Sequence, residues 1–249
     1  MSDLAWLILP VLIGPFVGSF LGLVSVRLPR GLPVVFGRSA CPGCERTLGP
    51  LDLVPIASFI LFRGRCRTCA APIPRRYLAL ELACPALALW AGLAHPGAEG
   101  ALGALYAWQL LLLALLDAEH FWLPRLLTLP LIVTGLAAAS LAGAGALADA
   151  ALGAALGFLV LALIAWLYRR LRRREGLGGG DAYLLAGAGA WCGAWALPTI
   201  MIAASLSGLA AVLILRLIGR PVAGDQPVPF GVFLALGGWL AWLYGPLGL

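Results

Sequence analysis

The sequence contains no lysine: all 17 of its basic residues are arginines. Charge of either sign is scarce, at 11% of 249 residues against about 25% in soluble domains. Hydrophobic residues reach 62%, against about 45–50%. With a mean hydropathy of +0.98, this balance excludes a water-soluble enzyme. It also excludes a disordered chain and a coiled coil, which need far more charge. No basic residue precedes the first apolar run, at residues 4–26, whose flank holds Asp3. A secretory leader has a basic start and a cleavage site, so this run is expected to be a retained membrane helix with its N-terminus outside. There is no internal repeat, no low-complexity linker and no GxGxxG nucleotide motif.

What is present is a series of apolar runs. Seven follow the first, at about 77–95, 101–118, 126–143, 149–168, 181–197, 199–218 and 228–247. Segments in lipid must satisfy their backbone polar groups internally. The expected fold class is therefore all-α: a polytopic helical membrane protein with about eight transmembrane helices and a small cytoplasmic four-cysteine loop. Gly14, Gly18 and Gly22 recur every four residues, and several later spans are rich in Gly and Ala, which points to close helix packing.

A net charge of +6 invites a nucleic-acid reading, but the arginines are placed otherwise. Nine lie between Arg27 and Arg76 and five between Arg169 and Arg174; Arg125, Arg216 and Arg220 complete the set. All sit between apolar runs or at their ends, where topology signals belong. The expected partners are lipid head groups, with no nucleic acid. Counting from an outside N-terminus, the connections 27–76, 119–125, 169–180 and 219–227 all fall in the cytoplasm.

Segment 27–76 is the only one large enough for an extramembrane domain. The expected division is residues 1–28 as the first membrane helix, 29–76 as the cytoplasmic domain and 77–249 as a seven-helix core. Cys41-Pro-Gly-Cys44 and Cys66-Arg-Thr-Cys69 form two CxxC pairs 21 residues apart. Two such knuckles can close a tetrahedral site of four thiolates, and cytoplasmic thiols stay reduced. A loop this short builds little core, so a structural metal ion is expected to supply the missing stability, with a redox pair or four uncoordinated thiols as the alternatives. Arg63, Arg65 and Arg67 would favour the thiolates. Cys84 and Cys192, alone in apolar runs, read as small buried hydrophobes.

Two acids lie where spans meet the cytoplasmic surface. Asp117 closes the third span in LLLALLDAEHFWLP, and Asp181 opens the sixth in EGLGGGDAYLL. Two carboxylates that share a site share one proton; one can then take a proton from water while the other protonates a scissile carbonyl. On these residues alone a proton relay, or a helix N-cap at Asp181, explains the pattern nearly as well. The glycines at 176 and 178–180, Gly178 and Gly180 among them, would let a substrate backbone approach and the loop move. Glu119 and His120 read as surface groups, Glu81 as an arginine partner or an interior acid, and Glu175 as a balance to the preceding arginines.

Taken together, the chain resembles the type IV prepilin peptidases. The resemblance runs through GSFLG, RLPRG, CPGC, LDLVPIAS, GRCRTC, IPRRY…E, the Asp117 segment, GGGD ending at Asp181, and VPFGVFLALG from Val228 to Gly237. It implies a GxGD-type aspartic endopeptidase of the bacterial inner membrane, with Asp117 and Asp181 as catalytic pair and a zinc-associated cysteine loop. The implied substrates are precursors of type IV pilins or type II secretion pseudopilins. It also implies S-adenosylmethionine-dependent N-methylation of the new N-terminus in some members. Three positions depart from the family pattern: Arg125 replaces the acid of LPD, Tyr183 a lysine two residues past GxGD, and Gly22 an asparagine. A transporter or assembly factor using the aspartates for protons or ions is the alternative class.

Overall fold

A computed structural model describes residues 2–173, 178–219 and 228–246. Arg174, Glu175, Gly176, Arg220 and Asp225 lie outside the described residues. The α-helices are α1 (Asp3–Arg27), α2 (Ala57–Leu61), α3 (Arg75–Ala94), α4 (Ala98–His120) and α5 (Arg125–Ala142). After them come α6 (Ala144–Arg172), α7 (Gly179–Cys192), α8 (Leu197–Leu217) and α9 (Phe230–Tyr244). Among the described residues, β-pairing is confined to two isolated bridges.

Among the described residues, six helices are long and apolar enough to cross a membrane. The remaining two expected spans are shorter than the hydropathy suggests: α7 has 14 residues and α9 has 15. α7 stops at Gly193, whose φ of +81° ends the helix before a 3-10 turn at Ala194–Ala196. Most of α7 is buried on all sides against protein, so its apolar character reflects a bundle interior rather than contact with lipid.

The chain divides into two compact units, Met1–Trp108 and Gln109–Leu249, with the boundary inside α4. In the first, α1 packs along α3. A Cβ on Gly14 would lie 2.6 Å from the Pro85 nitrogen, one on Gly18 would meet the Leu80 carbonyl, and one on Gly22 would lie 2.7 Å from the Tyr77 ring. The glycine stripe is thus the contact face, where lipid supplies no hydrophobic drive and close van der Waals fit must hold the pair. Trp108 Nε1 donates to the Cys84 carbonyl at 2.9 Å, tying the middle of α4 to α3.

In the second unit α7 is central, flanked by α5, α6 and α9, while α8 packs on α9. Gly153 and Gly157 of α6 lie directly on the backbone of α7 at Gly189 and Leu185. Gly135 of α5 meets Ala190 and Trp191. The Ala194 N–H donates to Asp149 Oδ1 at 3.3 Å, fixing the turn that ends α7.

Candidate active site and metal centre

The cysteine loop is built from two knuckles of the same design. The Cys41 carbonyl accepts from the Glu45 N–H at 2.8 Å, and the Cys66 carbonyl accepts from Ala70 at 3.0 Å. Each knuckle then closes with an antiparallel bridge, Ala40 with Thr47 and Arg65 with Pro72. Glu45 (φ 56°) and Ala70 (φ 57°) take the same left-handed turn, four residues past each leading cysteine. The four sulfurs lie within 4.8 Å of one another. Cys41 and Cys69 are 3.6 Å apart and Cys44 and Cys66 4.0 Å. A tetrahedral ion with metal–sulfur bonds of about 2.3 Å places its ligands about 3.8 Å apart, so this group could hold a metal.

The electrostatics fit a cation. Backbone N–H groups of Cys69 and Thr68 pull the Cys66 thiol down to about 6. At Cys69 the Ala71 N–H works in the same sense, but burial and the sulfurs of Cys44, Cys41 and Cys66 carry that thiol up to about 12. Four crowded sulfurs cannot all ionise alone; a divalent cation replaces their protons. Arg67 stands over the Phe62 ring at 4.9 Å and reaches Asp52 Oδ1 at 3.6 Å. Asp52 also pairs with Arg46 at 2.7 Å and accepts from the Gly49 N–H at 2.9 Å. Glu81, buried on α3, accepts from the Ile56 N–H at 2.6 Å and so anchors the 52–58 stretch to the first unit's helices.

The two aspartates belong to the second unit. Asp117 is near the C-terminal end of α4 and Asp181 is the third residue of α7; each is 5% exposed. They are near enough for the charge of Asp117 to act on Asp181. Asp181 Oδ2 accepts from the Gly178 N–H at 3.1 Å; Gly178 is the N-cap of α7 and Asp181 its third residue, so Asp181 is not itself the N-cap that the sequence allowed, but bonds back to it. Asp117 Oδ2 accepts from the Val232 N–H at 3.2 Å, at the start of α9. The two carboxylates thus stand at the N-termini of two helices, where free N–H groups favour negative charge.

Glycines make this convergence sterically feasible. A Cβ on Gly231 would lie 2.8 Å from both Asp117 Oδ2 and Leu123 Cδ1. One on Gly180 would run into the Leu123 side chain and lie 2.7 Å from its carbonyl oxygen. Leu123 therefore fills the space beside both acids. Glu119 and His120 are exposed, 3.8 Å apart, and outside this cluster.

Two family models match the chain. Residues 12–95 match the Bacterial Peptidase A24 N-terminal domain, and residues 104–213 match the Type IV leader peptidase family. Over 97% of its length the chain is 37% identical to a Pseudomonas aeruginosa protein named prepilin leader peptidase/N-methyltransferase, covering 91% of it. The chain belongs to the type IV leader peptidase family. Proteins of the same name are 37% identical in Aeromonas hydrophila, over 92% of the chain and 87% of the relative, and 39% identical in Burkholderia pseudomallei, over 94% and 84%. No solved structure matches. With six helices able to cross a bilayer, this family member is a multi-pass inner-membrane protein.

Two site features escaped the sequence reading of this leader peptidase. Gly231 and Val232 lie in the VPFGVFLALG stretch that carried the resemblance, yet no role was expected of them. The usable signal was Pro229 followed by Gly231: a helix start with room for an acceptor. The second feature is that Arg125 and Tyr183, two separate departures from the family pattern, meet, with the guanidinium carbon 5.1 Å from the ring centroid.

Proposed function

We propose that this leader peptidase is a membrane-embedded aspartic endopeptidase that cleaves the leader from type IV prepilins or type II secretion pseudopilins. One observation carries the reading: two buried carboxylates, far apart in sequence, meet at the ends of α4 and α7 with backbone amides on each. Asp117 and Asp181 are the catalytic pair. They hold one proton between them; one takes a proton from the attacking water while the other donates to the scissile carbonyl oxygen. Gly178 and Gly180 support the substrate and the loop: Gly178 leaves room beside the Asp181 carboxylate, and Gly180 admits Leu123. A helix hides its peptide bonds, so the bond cut lies in an extended stretch where the precursor's apolar segment meets the membrane surface. The arginine-rich connections put that surface, and the active site, on the cytoplasmic side.

In this reading residues 1–28 anchor the chain, 29–76 form a cytoplasmic zinc domain and 77–249 the peptidase core. The sulfur spacing and thiol-only donor set of Cys41, Cys44, Cys66 and Cys69 suit a structural zinc ion. Four protein ligands leave no open position, so the metal stabilises the loop and takes no chemical step. Relatives named N-methyltransferases imply S-adenosylmethionine as the methyl donor. The first unit has a cavity of about 540 Å³ between loop and helices, with Arg30, Arg65, Phe59, Tyr77 and Glu81 in its wall. Arginines for a carboxylate, rings for a flat base and a size in the ligand range fit that cofactor.

The test is coexpression with candidate pilin precursors and mass measurement of their N-termini. Loss of the leader is expected, with a further methyl group if the cofactor is used. Intact precursor with every candidate refutes the peptidase reading, and observed cleavage excludes a purely transporting role.

A further inference from the structure

Arg125 is the first residue of α5, following Pro124. A cation there opposes the helix dipole, so the dipole does not account for its placement. Its guanidinium instead lies over the ring of Tyr183, 5.1 Å from the centroid, within cation–π range. Tyr183 is two residues beyond Asp181, and its other contact is edge-to-face with Phe158 of α6, 4.9 Å between centroids. The ring is therefore held between α5 and α6. Two residues before Arg125, Leu123 packs on Gly180 and Gly231, and Gly231 lies against the Asp117 carboxylate. The short connection that leaves Asp117's helix and the first residue of α5 thus grip α7 on either side of Asp181: Leu123 at residue 180, Arg125 at residue 183.

We propose that Arg125 and Tyr183 form a positioning pair that holds Asp181 in register with Asp117. The inference rests on reading Asp117 and Asp181 as the catalytic pair. Arg125 and Tyr183 act through the aspartates and are not themselves catalytic residues.

The experiment is precursor cleavage by the full-length protein in membranes, normalised to inserted protein. Tyr183→Leu and Arg125→Ala are each expected to lower kcat about tenfold, with KM little changed. The two together should be no worse than either alone. Tyr183→Phe, which keeps the ring, should retain cleavage, as should Arg125→Lys in large part. Arg125→Asp and Tyr183→Lys should each be impaired, and the double exchange should return to within about threefold of the wild type. Additive losses, a double exchange no better than its singles, or inactive Tyr183→Phe each overturn the pair. If the singles fail to insert, the double exchange and Tyr183→Phe still decide it. A wild-type protein that cleaves nothing refutes the peptidase reading; an active wild type with additive variants refutes the pair alone.

Discussion

Asp52 and Asp181 make the same local hydrogen bond in the two regions of this molecule. Each is the last residue of a Gly-x-x-Asp sequence, and each carboxylate accepts from the N–H of the glycine three residues earlier, at 2.9 and 3.1 Å. Their surroundings differ. The Gly49 N–H, and then the guanidinium groups of Arg46 and Arg67 that Asp52 faces, hold its carboxyl below the usual range. Asp181 has a second buried acid as its neighbour. A local capping motif therefore does not make a catalytic group. Two cations make Asp52 a strut within the cysteine loop, whereas in the proposed mechanism a like charge would leave Asp181 a proton to share with Asp117.

That contrast breaks if either aspartate of the pair proves dispensable. Asp117→Asn and Asp181→Asn should each lower precursor cleavage by about 10³-fold or more while the protein still inserts, and changing both should add little. Full cleavage by either variant, read as product mass, would sink the mechanism. Next in size is Gly231→Ala, whose methyl group would press on the Asp117 carboxylate; about 10²-fold loss is expected from the displacement. Wild-type rates in that variant would mean the start of α9 does not hold Asp117.

The cysteine loop should respond differently. Cys41→Ser with Cys44→Ser should reduce metal from about one equivalent to none by elemental analysis, with cleavage falling about tenfold or less. A smaller effect is expected of Asp52→Asn: faster loss of metal to a chelator, with cleavage near wild type. Because the folded carboxyl of Asp52 titrates below its free value, its contribution is complete above about pH 4 and disappears as pH falls through the lowered value. Metal retention that did not differ between wild type and Asp52→Asn at neutral pH would remove its role as a strut. Smallest of all is Asp149→Asn, since an amide oxygen can still accept from Ala194; unchanged cleavage is expected.

Legibility in the sequence followed the range of the interaction. The cysteine set was plain because each knuckle is a four-residue event and the two share one design. The glycine face of α1 was plain because a stripe repeats every four residues. The lengths of α7 and α9 were misjudged because hydropathy does not distinguish a helix buried in protein from one buried in lipid. Gly231 was missed because its role exists only against Asp117, 115 residues before the Val232 that bonds it.

Composition, periodicity and short spacing were enough to make the chain a helical membrane protein, to group its four loop cysteines and to place two acids at span ends. Each of those signals is local. The meeting of Asp117 with Asp181, the service of the α9 amides to Asp117 and the seat of Arg125 on Tyr183 appear only once the helices are packed. Those pairings depend on which helix ends meet, which is set by the fit of Gly153, Gly157 and Leu123 against α7 and by Gly231 at the start of α9.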